Sequence, residues 1–190
     1  PKGYCGTCTA CLEACPTEAF PAPYILDANK CISYLTIEHR DHISPALAEQ
    51  FSGWAFGCDI CQEVCPWNRK TPEHIHAPEL CNDNYDLDIV EMLKLDEESF
   101  RQRFRKTPLW RSKRRGILRN AILVASQNKM AETGPLILGL LSDIEPLVRA
   151  AACWAVLQLQ PTGWKSAIQK TIESEADPET KAYMQGMLAQ

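Results

Sequence analysis

The sequence predicts a mostly α-helical chain with a small α+β part near its start. Three observations carry that expectation. Residues 1–80 are crowded with cysteine, proline and glycine, and only short runs such as Tyr24-Ile25-Leu26 have strand character there. From about Tyr85 the pattern turns helical, with Leu87, Val90, Met92, Leu93 and Leu95 followed by Phe100 and Phe104. Beyond Gly116, three of five short apolar segments open on a proline, which the first turn of a helix accepts without losing a hydrogen bond.

The first segment is organised by its cysteines. Cys5-x2-Cys8-x2-Cys11-x3-Cys15-Pro16 is followed by Cys58-x2-Cys61-x3-Cys65-Pro66. This spacing, with its trailing proline, is the bacterial pattern for two 4Fe-4S clusters, so a ferredoxin-like dicluster module is expected over residues 1–80. Ten cysteines in a secreted chain would point to disulfides, but no signal-peptide pattern opens this one, and repeated C-x2-C favours metal in a reducing compartment. In the dicluster arrangement the cysteine before proline crosses to the other cluster. Cys5, Cys8, Cys11 and Cys65 then form one ligand set, and Cys15, Cys58 and Cys61 three quarters of the other. Ala55 occupies the position of the missing thiolate. Cys31 lies between the runs and is chosen to complete the set, whereas Cys153, among alanines, is read as a small buried apolar residue and Cys81 as an ordinary free thiol. Two clusters with exchanged ligands lie close together, which suits an electron relay; a purely structural staple is the alternative.

The remainder is divided into a basic helical connector over 81–115 and stacked short helices over 116–190. Asp96-Glu97-Glu98 suits a helix start. The later helices are expected at Ile117 to about Asn128, Pro135 to Leu141, Pro146 to Leu159, Trp164 to Glu173 and Pro178 to Leu188. Asp177 and Glu145 stand where a cap or a dipole-complementing acid belongs. The stretch Asp143-Ile144-Glu145-Pro146-Leu147-Val148-Arg149-Ala150-Ala151-Ala152 resembles a HEAT-type repeat, and Asp177-Pro178 opens a further unit, so HEAT-like α-helical repeats are expected.

The net charge of -4 gives no general affinity for nucleic acid, but nine basic residues fall between positions 101 and 119. Arg101, Arg103, Arg105, Lys106, Arg111, Lys113, Arg114, Arg115 and Arg119, interleaved with Phe104 and Trp110, form a candidate phosphate-binding face. A solvated basic helix face is the competing reading, and Trp110 is either a base-stacking platform or a core anchor. His39, His42, His74 and His76 lack the spacing and partners of a zinc site, and Asp83, Asp86 and Asp88 lack the glycine and glutamate of a calcium loop. No apolar stretch reaches membrane-spanning length, so no membrane association is expected. Pro1 in place of Met, with the cysteine run beginning almost at once, leads us to expect a piece of a longer protein.

The run Cys5-Gly6-Thr7-Cys8-Thr9-Ala10-Cys11-Leu12-Glu13-Ala14-Cys15-Pro16-Thr17 is shared in its spacing with many ferredoxins, but Cys31-Ile32-Ser33-Tyr34-Leu35-Thr36-Ile37-Glu38 and Gly57-Cys58-Asp59-Ile60-Cys61-Gln62-Glu63-Val64-Cys65-Pro66-Trp67-Asn68 are far more specific. In these the chain resembles epoxyqueuosine reductase, a cobalamin-dependent cytoplasmic enzyme that reduces epoxyqueuosine to queuosine in tRNA. The resemblance implies that this chain is the C-terminal half of such an enzyme, incompetent alone because the N-terminal cobalamin domain and its acidic proton donor are missing. It implies that Cys31 completes the second cluster, that this cluster faces cobalamin, and that Ser33 and Tyr34 are candidates for the cofactor side. Expected partners are tRNA, an external one-electron donor and the absent N-terminal domain, with the protein a monomer. The alternative is a stand-alone dicluster electron carrier whose HEAT scaffold docks a protein.

Overall fold

The computed structural model describes residues 5–70 and 87–188. His74, His76, Cys81, Asp83 and Asp86 lie outside the described residues. The cysteine-rich segment is built from four short helices: α1 (Ala10–Glu13), α2 (Ile32–Ile37), α3 (Pro45–Ala48) and α4 (Ile60–Glu63). Helices α1 and α4 pack against each other and repeat the same local geometry. Their N-caps, Thr9 (φ -118°, ψ 8°) and Asp59 (φ -110°, ψ 6°), follow Cys8 and Cys58, which hold matching positions in the two runs.

The expected strand at Tyr24-Ile25-Leu26 does not form. Tyr24 stands at φ 65°, a left-handed conformation that breaks an extended run. The chain turns there, with the Ile25 N–H donating to the Ala22 carbonyl at 3.1 Å. An isolated bridge between Ala22 and Ile25 replaces the α+β part, and no strand ladder occurs among the described residues.

The helical remainder follows the sequence closely. Asp88 accepts from the Glu91 N–H at 3.0 Å and starts α5 (Ile89–Leu93). Asp96 and Ser99 form a reciprocal capping box at the start of α6 (Glu97–Phe104), with bonds of 2.7 and 3.0 Å. A 3-10 turn at Pro108–Ser112 leads into α7 (Lys113–Gln127), which begins one turn before the expected Ile117 because Gly116 is accommodated inside it. Then come α8 (Gly134–Leu140), α9 (Pro146–Leu159), α10 (Trp164–Ser174) and α11 (Pro178–Leu188). Helix α9 is central and packs against α7, α8, α10 and α11. Its buried Ala150, Ala151, Ala152 and Ala155 let those neighbours approach closely. Gly134 at the start of α8 serves the same end, since a Cβ there would come within 2.9 Å of Pro161.

Paired charges join successive helices in a repeating way. Asp143, before α9, accepts Arg114 of α7 through both carboxylate oxygens and also accepts the Glu145 N–H at 3.0 Å. Glu175, before α11, accepts Arg149 of α9 through both oxygens and the Asp177 N–H at 2.9 Å. The turn before α9 is therefore held by Asp143, not by the expected cap Glu145, whereas Asp177 does cap α11 by accepting from the Thr180 N–H at 2.7 Å. Burial alone would raise Asp143, but Arg114 and the Glu145 N–H hold it below the usual carboxylate range.

One hydrophobic core runs through the molecule. Ile32, Leu35, Ile43, Ala48 and Phe51 of the cysteine-rich segment join Phe100, Phe104, Ile117, Ile122, Val148, Val156 and Met184 in a single buried cluster. The core thus crosses both expected domain boundaries, and the cysteine-rich segment is built onto the helices rather than tethered beside them.

Candidate metal centres and basic face

The eight cysteines named as cluster ligands are all described, none is in a disulfide, and Cys11, Cys15, Cys31, Cys58, Cys61 and Cys65 are half-buried while Cys5 and Cys8 are exposed. The short helices explain their placement. Cys11 lies on α1 and Cys61 on α4, so packing these helices brings the two runs together. Cys31 is the N-cap residue of α2, with its backbone extended (φ -71°, ψ 118°).

Electrostatics identifies neighbours across the runs. Burial pushes the Cys58 thiol up, and the sulfurs of Cys61, Cys31 and Cys15 push it further. Burial likewise raises Cys61, with contributions from Cys31, Cys11 and Cys15. Cys15, Cys31, Cys58 and Cys61 therefore share one electrostatic neighbourhood, and Cys11 adjoins it. Cys15 is the exception in sign. Burial would raise it, but the Thr17 hydroxyl at 3.5 Å and the Ala19 N–H at 3.4 Å donate to its sulfur and bring it below the ordinary thiol range. Donors aimed at a sulfur suit a thiolate that must remain charged.

Among the described residues no three His, Cys, Asp or Glu side chains converge on a point fit for a single metal ion. The chemistry of the donor set, thiolates alone in runs of C-x2-C spacing closed by a Cys-Pro, is that of four-iron clusters. Cys153 belongs to neither set: it is buried in α9, and burial lifts its thiol to about 12. His39 bonds to the His42 carbonyl at 3.1 Å, and His42 stacks on Tyr183 with ring centroids 4.4 Å apart, so both are occupied in packing.

Ser33 and Tyr34 stand on the first turn of α2 beside Cys31. Ser33 is half-buried, and the Tyr34 ring is partly exposed, 6.2 Å from that of His39.

The nine basic residues divide. Arg101, Arg105, Lys106, Arg111 and Lys113 are exposed, and Arg103 and Arg115 are half-buried. A groove of about 550 Å³ runs along Arg101, Arg103, Arg105 and Lys106. A second, of about 670 Å³, joins Trp110, Arg111 and Lys113 to Arg40 and Phe56 of the cysteine-rich segment. Glu38 pairs with Arg111 and sits 3.9 Å from Arg40, which tempers the charge there. Trp110 stacks on Phe100 at 5.5 Å and has the Lys113 ammonium 4.7 Å from its ring centre, so it is engaged within the protein as an anchor.

Arg114 and Arg119 do not face solvent. Arg114 is consumed by Asp143 and the Leu95 carbonyl. Arg119 is 2% exposed and donates to the carbonyls of Leu35, His39 and Asp41, and burial pulls its guanidinium down to about 10. Both are corrected from phosphate contacts to internal struts. Asn120 and Ser112, neither of them a candidate from the sequence, are also internal: Ser112 donates to backbone carbonyls of α2, and Asn120 to one of α2 and to that of Ala55 before Cys58.

Comparison with known proteins agrees with this geometry. Residues 4–68 match the 4Fe-4S double cluster binding domain. The chain is 34% identical to the epoxyqueuosine reductase of Bacillus subtilis over 93% of its own length and 46% of that protein's. It is 45% identical to that of Cellulophaga algicola over 62% of its length and 39% of the relative's. Among solved structures, the Bacillus subtilis epoxyqueuosine reductase superposes with a TM-score of 0.86 at 30% identity, covering 97% of this chain and 50% of that one. An epoxyqueuosine reductase bound to an epoxyqueuosine-modified tRNA-Tyr stem loop gives 0.85 at 31% identity, covering 95% and 48%. The chain thus spans half or less of the length of the relatives it matches.

Proposed function

Because the chain is homologous to about half of an epoxyqueuosine reductase, we propose that it is the electron-delivering, tRNA-facing part of such an enzyme, acting in cytoplasmic tRNA modification. The observation that carries this reading is the packing of α1 against α4, which brings the two cysteine runs together within a segment, residues 4–68, that matches the double cluster binding domain. In it, Cys5, Cys8, Cys11 and Cys65 hold one 4Fe-4S cluster and Cys15, Cys31, Cys58 and Cys61 the other. Cys11 on α1 and Cys61 on α4 belong to helices that pack against each other, which supports a short path between the clusters. Cluster pairs move electrons singly, so the first set would accept them from an external donor and the second pass them on.

Cobalamin, when bound, supplies the chemistry at the epoxide, and it would be held mainly by the part of the enzyme outside this chain. Ser33 and Tyr34 would line its near side, beside Cys31. For the RNA we assign the exposed Arg101, Arg105, Lys106, Arg111 and Lys113 and the half-buried Arg103 and Arg115 as phosphate contacts, with Trp110 holding Lys113 in place. Support comes from the two basic grooves and from the tRNA-bound relative.

The test is anaerobic reconstitution followed by titration with a tRNA anticodon stem loop. Eight irons per chain and an affinity that falls steeply with salt are expected. Bound zinc, a single cluster, or binding insensitive to salt would overturn the reading.

A further inference from the structure

The second cysteine run lacks a thiolate at Ala55, the position that Cys5 fills in the first. The structure shows what stands there. Asn120 of α7 is fully buried, and its Nδ2 donates to the carbonyls of both Ala55 and Thr36, each at 2.8 Å. Thr36 lies on α2, the helix that Cys31 caps. A second tie runs alongside: the Gly57 N–H donates to the Thr36 hydroxyl at 3.0 Å, and that hydroxyl donates to the Ile32 carbonyl at 2.8 Å. Asn120 is itself held, its Oδ1 accepting Arg119 Nε and Nη2 at 3.1 and 3.0 Å. Every polar atom of the carboxamide is used, which fixes its plane and makes it a rigid spacer.

We propose that Asn120 is a positioning residue for the second cluster: by bridging Thr36 and Ala55 it sets the separation of Cys31 from Cys58, so that Cys31 takes the place of the thiolate absent at position 55. The proposal rests on the reading of Cys31 and Cys58 as ligands of one cluster. Groups behind metal ligands commonly act in this way, orienting the ligand without touching the metal. The accepting carbonyls lie on the helix that Cys31 caps and three residues before Cys58, so the effect is expected at the cluster those two cysteines share. Ser112 provides an internal control: its hydroxyl also donates to the Thr36 carbonyl, at 3.0 Å, and to that of Ile37, both on α2.

The experiment compares the full chain with Asn120→Ala and Ser112→Ala, each reconstituted without oxygen. Iron content, the EPR spectrum of each reduced cluster and the rate of iron loss to a chelator are recorded. In Asn120→Ala one cluster should keep its signal, while the other shifts in potential and loses iron about 10- to 100-fold faster. Ser112→Ala should leave both spectra as in the parent. Should Asn120→Ala fail to fold, Thr36→Val removes only the hydroxyl tie and should disturb the same cluster. Parallel changes in both clusters, or the same response from Ser112→Ala, would reduce Asn120 to a general stabiliser and overturn the proposal. A parent chain holding fewer than eight irons would instead overturn the two-cluster reading beneath it.

Discussion

Arg114 and Asp143 meet in a two-point ion pair, Nη1 to Oδ1 at 3.1 Å and Nη2 to Oδ2 at 2.5 Å, with both side chains less than a tenth exposed. One hairpin further on, Arg149 and Glu175 repeat the arrangement. The pairs stitch α7 to the turn before α9, and α9 to the turn before α11. This charge ladder keeps the stack in register, while alanines supply the close packing.

Removing one member of such a pair strands the other in a poorly solvated site. Asp143→Ala should destabilise the chain by about 3 kcal/mol. The double change Arg114→Met with Asp143→Leu should recover most of that loss, because no charge is left buried. Guanidinium denaturation midpoints of the parent and the two variants check this, and iron content should not move.

RNA affinity should separate the exposed from the buried cations. Replacing Arg101, Arg105 and Lys106 together by alanine should lower the slope of log affinity against log salt by about 2, at roughly 0.7 per lost phosphate contact on a single strand. Arg119→Met should instead lower the denaturation midpoint and leave the slope of the folded fraction unchanged. Salt titrations with an anticodon stem loop distinguish the two.

His42 gives the fold a dependence on pH. Burial against Tyr183 lowers its pKa below 6.5, Arg119 lowers it further, and Asp41, Glu179 and Asp177 act in opposition. With the folded value depressed, the unfolded chain binds the proton more readily. The contribution is therefore complete above about 6.5 and is lost as pH falls toward and through the folded value. The denaturation midpoint should drop between pH 7.5 and pH 5.5, and His42→Gln should flatten that drop.

Cys153 offers a contrast with the cluster cysteines. Its thiol is fully buried in α9 and held protonated, with a value near 12. Cys153→Ala should retain all eight irons and cost about 1 kcal/mol for a small lost contact. A fall in bound iron would show that the residue takes part in ligation after all.

Much of this was legible in the sequence, for local reasons. Helices α9 and α11 begin on their prolines and end where expected because caps, prolines and apolar spacing act within a turn or two. The cysteine spacing marked the two runs but not the paired helices α1 and α4 that carry them, since spacing alone does not say how a metal-held segment folds. The docking of α7 onto α2 was not legible, since Arg119 reaches a carbonyl 84 residues away. Reading 101–119 as one charged face misplaced Arg114 and Arg119. A signal was present: every residue from Gly116 to Ser126 is buried, and the run Ala121-Ile122-Leu123-Val124-Ala125 leaves α7 no polar side. An arginine and an asparagine beside such a run must find partners inside the protein.

The most direct test of the account is the Cys31→Ser variant, reconstituted without oxygen beside the parent and examined by iron analysis and by EPR of the reduced protein. The account predicts eight irons and two interacting paramagnetic clusters in the parent, with one cluster intact and the other lost or converted in the variant. An unchanged spectrum and iron count in Cys31→Ser would contradict it, for the second cluster would then draw its fourth ligand from elsewhere.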